Sequence, residues 1–238
     1  MEDIDAIAAL QDPVRRRLYE YVAAQGREVG RNEAAEAVGV ARTLAAHHLD
    51  KLTGAGLLES GSRRLSGRSG PGAGRPAKVY VRARAERSVS LPARDYRTAA
   101  ELLAEAAEQA GLDAGLCAAA RRRGEALRGS AAPCGDLEEA MAALSARGYE
   151  PHLEEAGSAQ NARGAEDGDE PAGAAERVIR MRNCPFHAVA ERFPPLVCGM
   201  NLALLEGLLG ADGPLRARMD ARPGACCVVV ESSKNNGD

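Results

Sequence analysis

Tryptophan is absent from the 238 residues, phenylalanine occurs twice and tyrosine five times, so aromatic side chains make up only 3% of a chain that is 45% hydrophobic. Alanine and leucine therefore supply most of the apolar material, which leans the fold toward helices. No run approaches the roughly 18 apolar residues that a membrane span needs, and the acidic opening Met1-Glu2-Asp3-Ile4-Asp5 is unlike a signal peptide. A cytoplasmic protein with no membrane partner is expected. Also missing are any Cys-x-x-Cys pair, any HExxH motif, any phosphate-binding glycine loop and any nucleophile–base pair at a recognisable spacing. Those absences argue against a zinc knuckle and against an enzyme.

The chain is long enough for two or three small cores. Net charge is −3 but unevenly spread. Residues 1–95 carry 16 Lys+Arg against 12 Asp+Glu, and the remainder carries 15 against 22. From Arg63 to Arg87, eight basic residues face the single acid Glu86. Cationic side chains that neutralise phosphates supply most non-specific affinity for DNA. A solvated, arginine-rich linker has the same charge pattern, so local structure must decide.

Asp12-Pro13 is a helix start, with a carboxylate at the cap and proline at the first helical position. A second short helix is expected from Asn32 to Val38, closing at Gly39, and a third from about Ala41 to Thr53. Helix, glycine turn, helix is the helix-turn-helix order, whose second member lies in the major groove. On the third helix Leu44, Ala45, His48, Leu49 and Leu52 form a face suited to packing. Arg42, Thr43, Ala46 and His47 form the other, where base edges are met. Lys51 suits a phosphate contact, and Asp50 is expected to point away. Two strands, starting near Leu58 and at Lys78, flank a glycine- and proline-rich loop. Together they predict a wing carrying Arg63, Arg64, Arg68, Arg75 and Lys78 to the DNA backbone.

The run from Asp12-Pro13-Val14-Arg15-Arg16-Arg17-Leu18-Tyr19 through Ala45-Ala46-His47-His48-Leu49-Asp50-Lys51-Leu52 carries a specific likeness. So do Gly56-Leu57-Leu58, Arg64-Leu65-Ser66-Gly67-Arg68 and Gly72-Ala73-Gly74-Arg75-Pro76-Ala77-Lys78-Val79-Tyr80. They resemble the ArsR-related winged helix-turn-helix transcriptional regulators of the SufR type over most of residues 8–85. One departure is Ala41, where a serine cap is expected before the recognition helix.

Asp95 caps an expected helix from Tyr96 to about Ala110, with Ala99, Leu102/Leu103, Ala106 and Ala110 on one face. A second helix follows to roughly Arg128. Palindromic operators demand a two-fold dimer, and this alanine-rich stretch, 95–130, is the expected dimer element. Cys117 reads as a small buried residue, and Cys134 sits in a turn. A helix from Asp136 to Arg147 and strands at Tyr149–Glu154 and Arg177–Arg182 enclose 156–174, which has no large apolar residue and is expected to be disordered.

Four of the six cysteines fall between Cys184 and Cys227, at intervals of 14 and then 28 before the adjacent pair Cys226-Cys227. In a reducing compartment such thiols argue for metal binding, redox sensing or burial ahead of disulfides. A soft metal or an iron–sulfur cluster draws thiolates from separate elements in this way. Cys184 follows a strand. Cys198 is placed in the first turn of a helix opened by Pro194-Pro195. The final strand, Ala225 to Glu231, would carry Cys226 and Cys227 on opposite faces, so that only one joins the others. These segments also resemble SufR-type proteins, and the resemblance implies an iron–sulfur cluster (2Fe-2S or 4Fe-4S) on Cys184, Cys198 and Cys226. Cys227 is the alternate, and His187 the nearest choice for a fourth ligand.

The expectation as a whole is an α+β chain: a winged helix-turn-helix over 1–90, the helical segment 95–130, and a small sensor domain over 135–232. It would be a homodimeric repressor of a double-stranded DNA operator, controlled by the cluster. The other readings are a sensor of zinc, arsenic or oxidants through the same thiols, or a thiol enzyme fused to a DNA-binding domain.

Overall fold

Local sequence punctuation builds the first helices. In the computed structural model, which describes residues 2–63, 76–155 and 177–233, Asp12 Oδ1 accepts from the backbone N–H of Val14 and of Arg15, both at 2.9 Å. That cap and Pro13 start helix α2 (Pro13–Gln25), which follows α1 (Glu2–Ala9). Strand β1 (Val29–Gly30) leads into α3 (Arg31–Val38). The chain then turns through Gly39 at φ +71°, a left-handed conformation that glycine adopts without strain, into α4 (Arg42–Gly54). As the sequence implies, Ala41 gives α4 no side-chain cap.

The hairpin β2 (Leu58–Arg63) and β3 (Ala77–Arg82) pairs antiparallel from Leu58↔Arg82 to Arg63↔Ala77, and β1 joins the far side of β3. This completes a winged helix-turn-helix within a compact unit ending at Arg94. Leu18, Val22, Val29, Ala45, Leu49, Leu52 and Tyr80 fill its core. Leu44 departs from expectation: it is 42% exposed, because the buried stripe runs Ala45, His48, Leu49, Leu52 and leaves Leu44 at its edge. His48 is a core histidine. Burial lowers its pKa below the usual imidazole value, against the pull of Asp12.

The second unit begins at Asp95. Asp95 accepts from Thr98 N–H at 3.0 Å and opens α5 (Tyr96–Gln109), followed by α6 (Asp113–Arg128) and α7 (Leu137–Ser145), the last capped by Asp136. Strands β4 (Pro151–Glu155) and β5 (Arg177–Met181), the short α8 (His187–Ala190), α9 (Pro194–Leu209), β6 (Leu215–Met219) and β7 (Val228–Ser232) complete it. The sheet order is β4-β5-β7-β6, antiparallel throughout. The chain is thus α+β. The loop expected at 156–174 lies outside the described residues.

Ile179, Met181, Val228 and Val230 pack with Leu205, Leu208 and Leu209 of α9 and Leu144 of α7. Arg180, 3% exposed, has both partners it needs inside the fold, Glu154 and Asp220 taking its guanidinium at 2.8 and 2.6 Å. No helix among the described residues is long and apolar enough to cross a membrane.

Helix α6 lies against α9 so closely that glycine is needed on both. A Cβ on Gly124 would stand 2.1 Å from Leu204 O, and one on Gly207 2.2 Å from Arg121 O. The small-residue face of α6 is therefore occupied within the chain. Helix α5 differs, with no buried residue and with Tyr96, Leu102 and Leu103 all more than 60% exposed.

Candidate nucleic-acid interface and thiol centre

The positive N-terminal end of α4 and its outer face carry the residues expected to meet DNA. Arg42, Thr43, His47 and Lys51 are exposed and Ala46 is half-buried. Among the described residues no hydrogen bond or ion pair holds Arg42, so its guanidinium is available to a base or phosphate. Arg63 ends β2, 66% exposed, with a 3.4 Å ion pair to Glu28. Arg64, Arg68 and Arg75 lie outside the described residues.

Lys78 is more committed than the sequence suggests. Its Nζ meets Asp50 Oδ1 at 2.7 Å, and the same oxygen accepts the Tyr80 hydroxyl at 2.7 Å. Arg31 Nε donates to Tyr80 Oη at 3.0 Å. Asp50 does not point away into solvent; it ties the recognition helix to the returning wing strand and to α3. Those donors hold the Asp50 carboxyl below its usual pKa in spite of its partial burial. An acid on a recognition helix is hard to assign from sequence, because its partner here is 28 residues away.

In the second unit the sheet end and α9 bring thiols together. Cys184 leaves β5 three residues after Met181. Cys226 and Cys227 approach β7, and Cys198 is the fifth residue of α9 and so in its second turn, not its first. Cys226 and Cys227 are not on the strand, since β7 starts at Val228. Strand alternation does not apply to them, and both join the group. Backbone bonds fix the pair, Cys226 N–H to Met181 O and Asp220 N–H to Cys227 O, each 2.8 Å.

The thiols neighbour one another in the order Cys184, Cys226, Cys227, Cys198. The Cys184 and Cys227 thiols, the Val228 N–H and the Asn201 amide pull the Cys226 pKa far down, while Cys226 and burial push Cys184 and Cys227 up. Cys184, Cys226 and Cys227 thus share their first negative charge, held at Cys226. Cys184 likewise faces the N–H of the residue two positions on, Phe186.

Two residues overlooked in the sequence complete the centre. Asn201, fully buried on α9, donates from Nδ2 to Cys226 Sγ at 3.4 Å and accepts the Tyr149 hydroxyl on Oδ1 at 2.5 Å. Burial and the neighbouring thiols keep Tyr149 protonated far above the usual phenol range. A lone asparagine within the otherwise apolar run Leu196–Leu205 is the signal that could have marked it. His187 is turned to solvent, 67% exposed, with Nε2 3.2 Å from Glu191. Cys117 packs against Gly199 on the α6–α9 seam, and Cys134 N–H bonds Leu209 O at 3.0 Å.

Thiols at least half-buried, two of them facing N–H groups of backbone or amide, are a donor set suited to a soft metal or an iron–sulfur cluster. Among the described residues, however, no three His, Cys, Asp or Glu side chains already stand in the arrangement of a metal site. The donor chemistry fits; ligand geometry would have to close around the group.

Residues 10–61 match a family model described as a helix-turn-helix domain. No curated protein and no solved structure matches the chain. The first unit carries the DNA-binding domain of a transcriptional regulator.

Proposed function

We propose that this protein is a homodimeric transcriptional repressor whose operator binding is controlled by an iron–sulfur cluster on Cys184, Cys198 and Cys226, with Cys227 as the alternate ligand. The observation that carries the reading is the convergence of these four thiols, from three separate segments, in a chain whose other unit is a helix-turn-helix domain. When bound, such a cluster supplies a redox- and oxygen-sensitive link among those segments. The chain's own part is to present thiolate at Cys226, to shield the group between the sheet end and α9, and to move α9 when the thiols are released. His187 is a poor fourth ligand in this arrangement, because it faces solvent.

Oxygen-free purification tests the reading. We expect iron, inorganic sulfide and brown visible absorption in the wild type, and loss of all three in Cys184→Ser. Zinc without sulfide would instead identify a sensor of soft metals or oxidants at the same thiols, and an iron-free, metal-free protein would sink both metal readings.

The dimer is assigned to the outer face of α5. Tyr96, Ala99, Leu103, Ala106 and Ala110 recur at alternating spacings of three and four and are all exposed, as in a coiled-coil seam. Leu103→Glu should therefore give a monomer in sedimentation equilibrium with an unchanged circular dichroism spectrum. A Leu103→Glu protein that sediments as a dimer moves the interface elsewhere.

A further inference from the structure

Two of the four thiols are chemically equivalent by sequence, as the adjacent residues Cys226 and Cys227, yet the fold treats them differently. Cys226 is 2% exposed and Cys227 only half-buried. The Asn201 amide reaches Cys226 Sγ at 3.4 Å, and the backbone around Cys226 is anchored to the end of β5. Asn201 bridges the two groups: its amide oxygen accepts the Tyr149 hydroxyl, and its amide nitrogen faces the sulfur. Tyr149 is itself fixed, 4% exposed, with its N–H on Leu144 O at 3.3 Å and the preceding Gly148 O accepting Asn183 Nδ2 at 2.7 Å. The last bond ties the same corner to the residue before Cys184. One amide thus senses α9, which also carries Cys198 one turn earlier, and the corner between α7 and β4.

We infer that Asn201 is a positioning residue: oriented by Tyr149, it fixes Cys226 Sγ by an N–H···S bond, selects Cys226 over Cys227 as the anchoring ligand, and sets the electron richness of that sulfur. The inference rests on the reading of the thiol centre as a ligand site. An N–H···S bond withdraws electron density from a thiolate ligand, which favours the reduced form of the group it holds and makes its potential more positive. A buried neighbour that orients a ligand commonly contributes roughly 10- to 100-fold to metal affinity.

The test uses the full chain in two states. On cluster-loaded protein, the reduction potential of Asn201→Leu should be more negative than that of the wild type, with Tyr149→Phe shifted the same way by less. On metal-free protein titrated with cobalt(II), followed by thiolate-to-cobalt absorption, Asn201→Leu should bind roughly 10-fold more weakly. Cys227→Ser should keep the cobalt spectrum and Cys226→Ser should lose it. Tyr149→Phe keeps the ring and its packing, so a shift there reports the hydrogen bond and not a collapsed fold. Potentials and cobalt affinities unchanged in both Asn201→Leu and Tyr149→Phe overturn the inference. So does a Cys226→Ser protein that retains the cobalt spectrum while Cys227→Ser loses it. Wild-type protein without iron, but with cobalt binding that weakens in Asn201→Leu, would fail the cluster reading and leave Asn201 in its assigned role.

Discussion

Gly207→Ala is expected to destabilise the second unit by about 3 kcal/mol, at the upper end of the usual cost of overpacking. The added Cβ would stand 2.2 Å from Arg121 O and 3.0 Å from Glu125 N, all of it backbone that cannot swing aside. Gly124→Ala meets Leu204 O at 2.1 Å from the other helix and should cost a similar amount. Intrinsic propensity works the other way, since alanine is favoured over glycine in a helix interior by about 1 kcal/mol. Gly115→Ala isolates that term: it is on the same α6, exposed, with nothing within 4 Å of its added Cβ, and should raise stability slightly. Calorimetry of the three variants checks this, with a fall of about 6–12 °C expected for Gly207→Ala and a small rise for Gly115→Ala. Equal melting temperatures for Gly115→Ala and Gly207→Ala would refute the close approach of α6 and α9.

That approach also bears on assembly. Read as sequence, α5 and α6 are both alanine-rich and equally suited to a partner helix. The structure separates them, because α6 spends its small-residue stripe on α9, and Arg121 and Arg128 reinforce the contact through Glu206 and Gly207 O. Of these two helices, α5 keeps its apolar face open, so the proposed dimer rests on one helix in place of two.

Helix boundaries were legible where a side chain writes them. Asp12-Pro13, Asp95, Asp136 and Pro194-Pro195 start helices where expected, and Gly39 and Gly210 end them. Strand β6 was not assigned, although Leu215-Arg216-Ala217-Arg218-Met219 alternates apolar with basic: its pairing with β7 is the long-range fact that makes it a strand. The wheel placed Leu44 inward because a helix face drawn from residue type alone does not show which edge the neighbouring helices cover. The thiol group was legible as a set but not in its order. Moving the start of β7 three residues later than expected, from Ala225 to Val228, removes the alternation that would have turned Cys227 away. Asn201 and Tyr149 are 52 residues apart, and no spacing rule joins them. The Asp50–Lys78–Tyr80 cluster is the same lesson in the first unit, where a carboxylate judged idle on one helix fixes the angle of a wing.

Arg42→Ala should weaken binding to the protein's own operator by roughly 10- to 100-fold, the loss of about 1–3 kcal/mol carried by one bidentate base contact. Arg42 is the first residue of α4, beyond an N-cap that contributes no side chain, and it is exposed. Nothing in the core depends on it, so the melting temperature of the first unit should hold. Lys51 lies in the last turn of the same helix, also exposed, where a phosphate contact is expected. Lys51→Ala should therefore weaken specific and non-specific duplexes alike and reduce the salt dependence of binding by about one counterion. Gel-shift titrations on operator and scrambled duplexes at several salt concentrations separate the two. Arg42→Ala should narrow the ratio between the duplexes, whereas Lys51→Ala should leave the ratio and lower both affinities. An Arg42→Ala protein that binds the operator as the wild type does, with the ratio intact, would mean that α4 does not meet the bases at its N-terminal end. The reading of its outer face would then have to be redrawn around Thr43 and His47, with Arg42 in solvent.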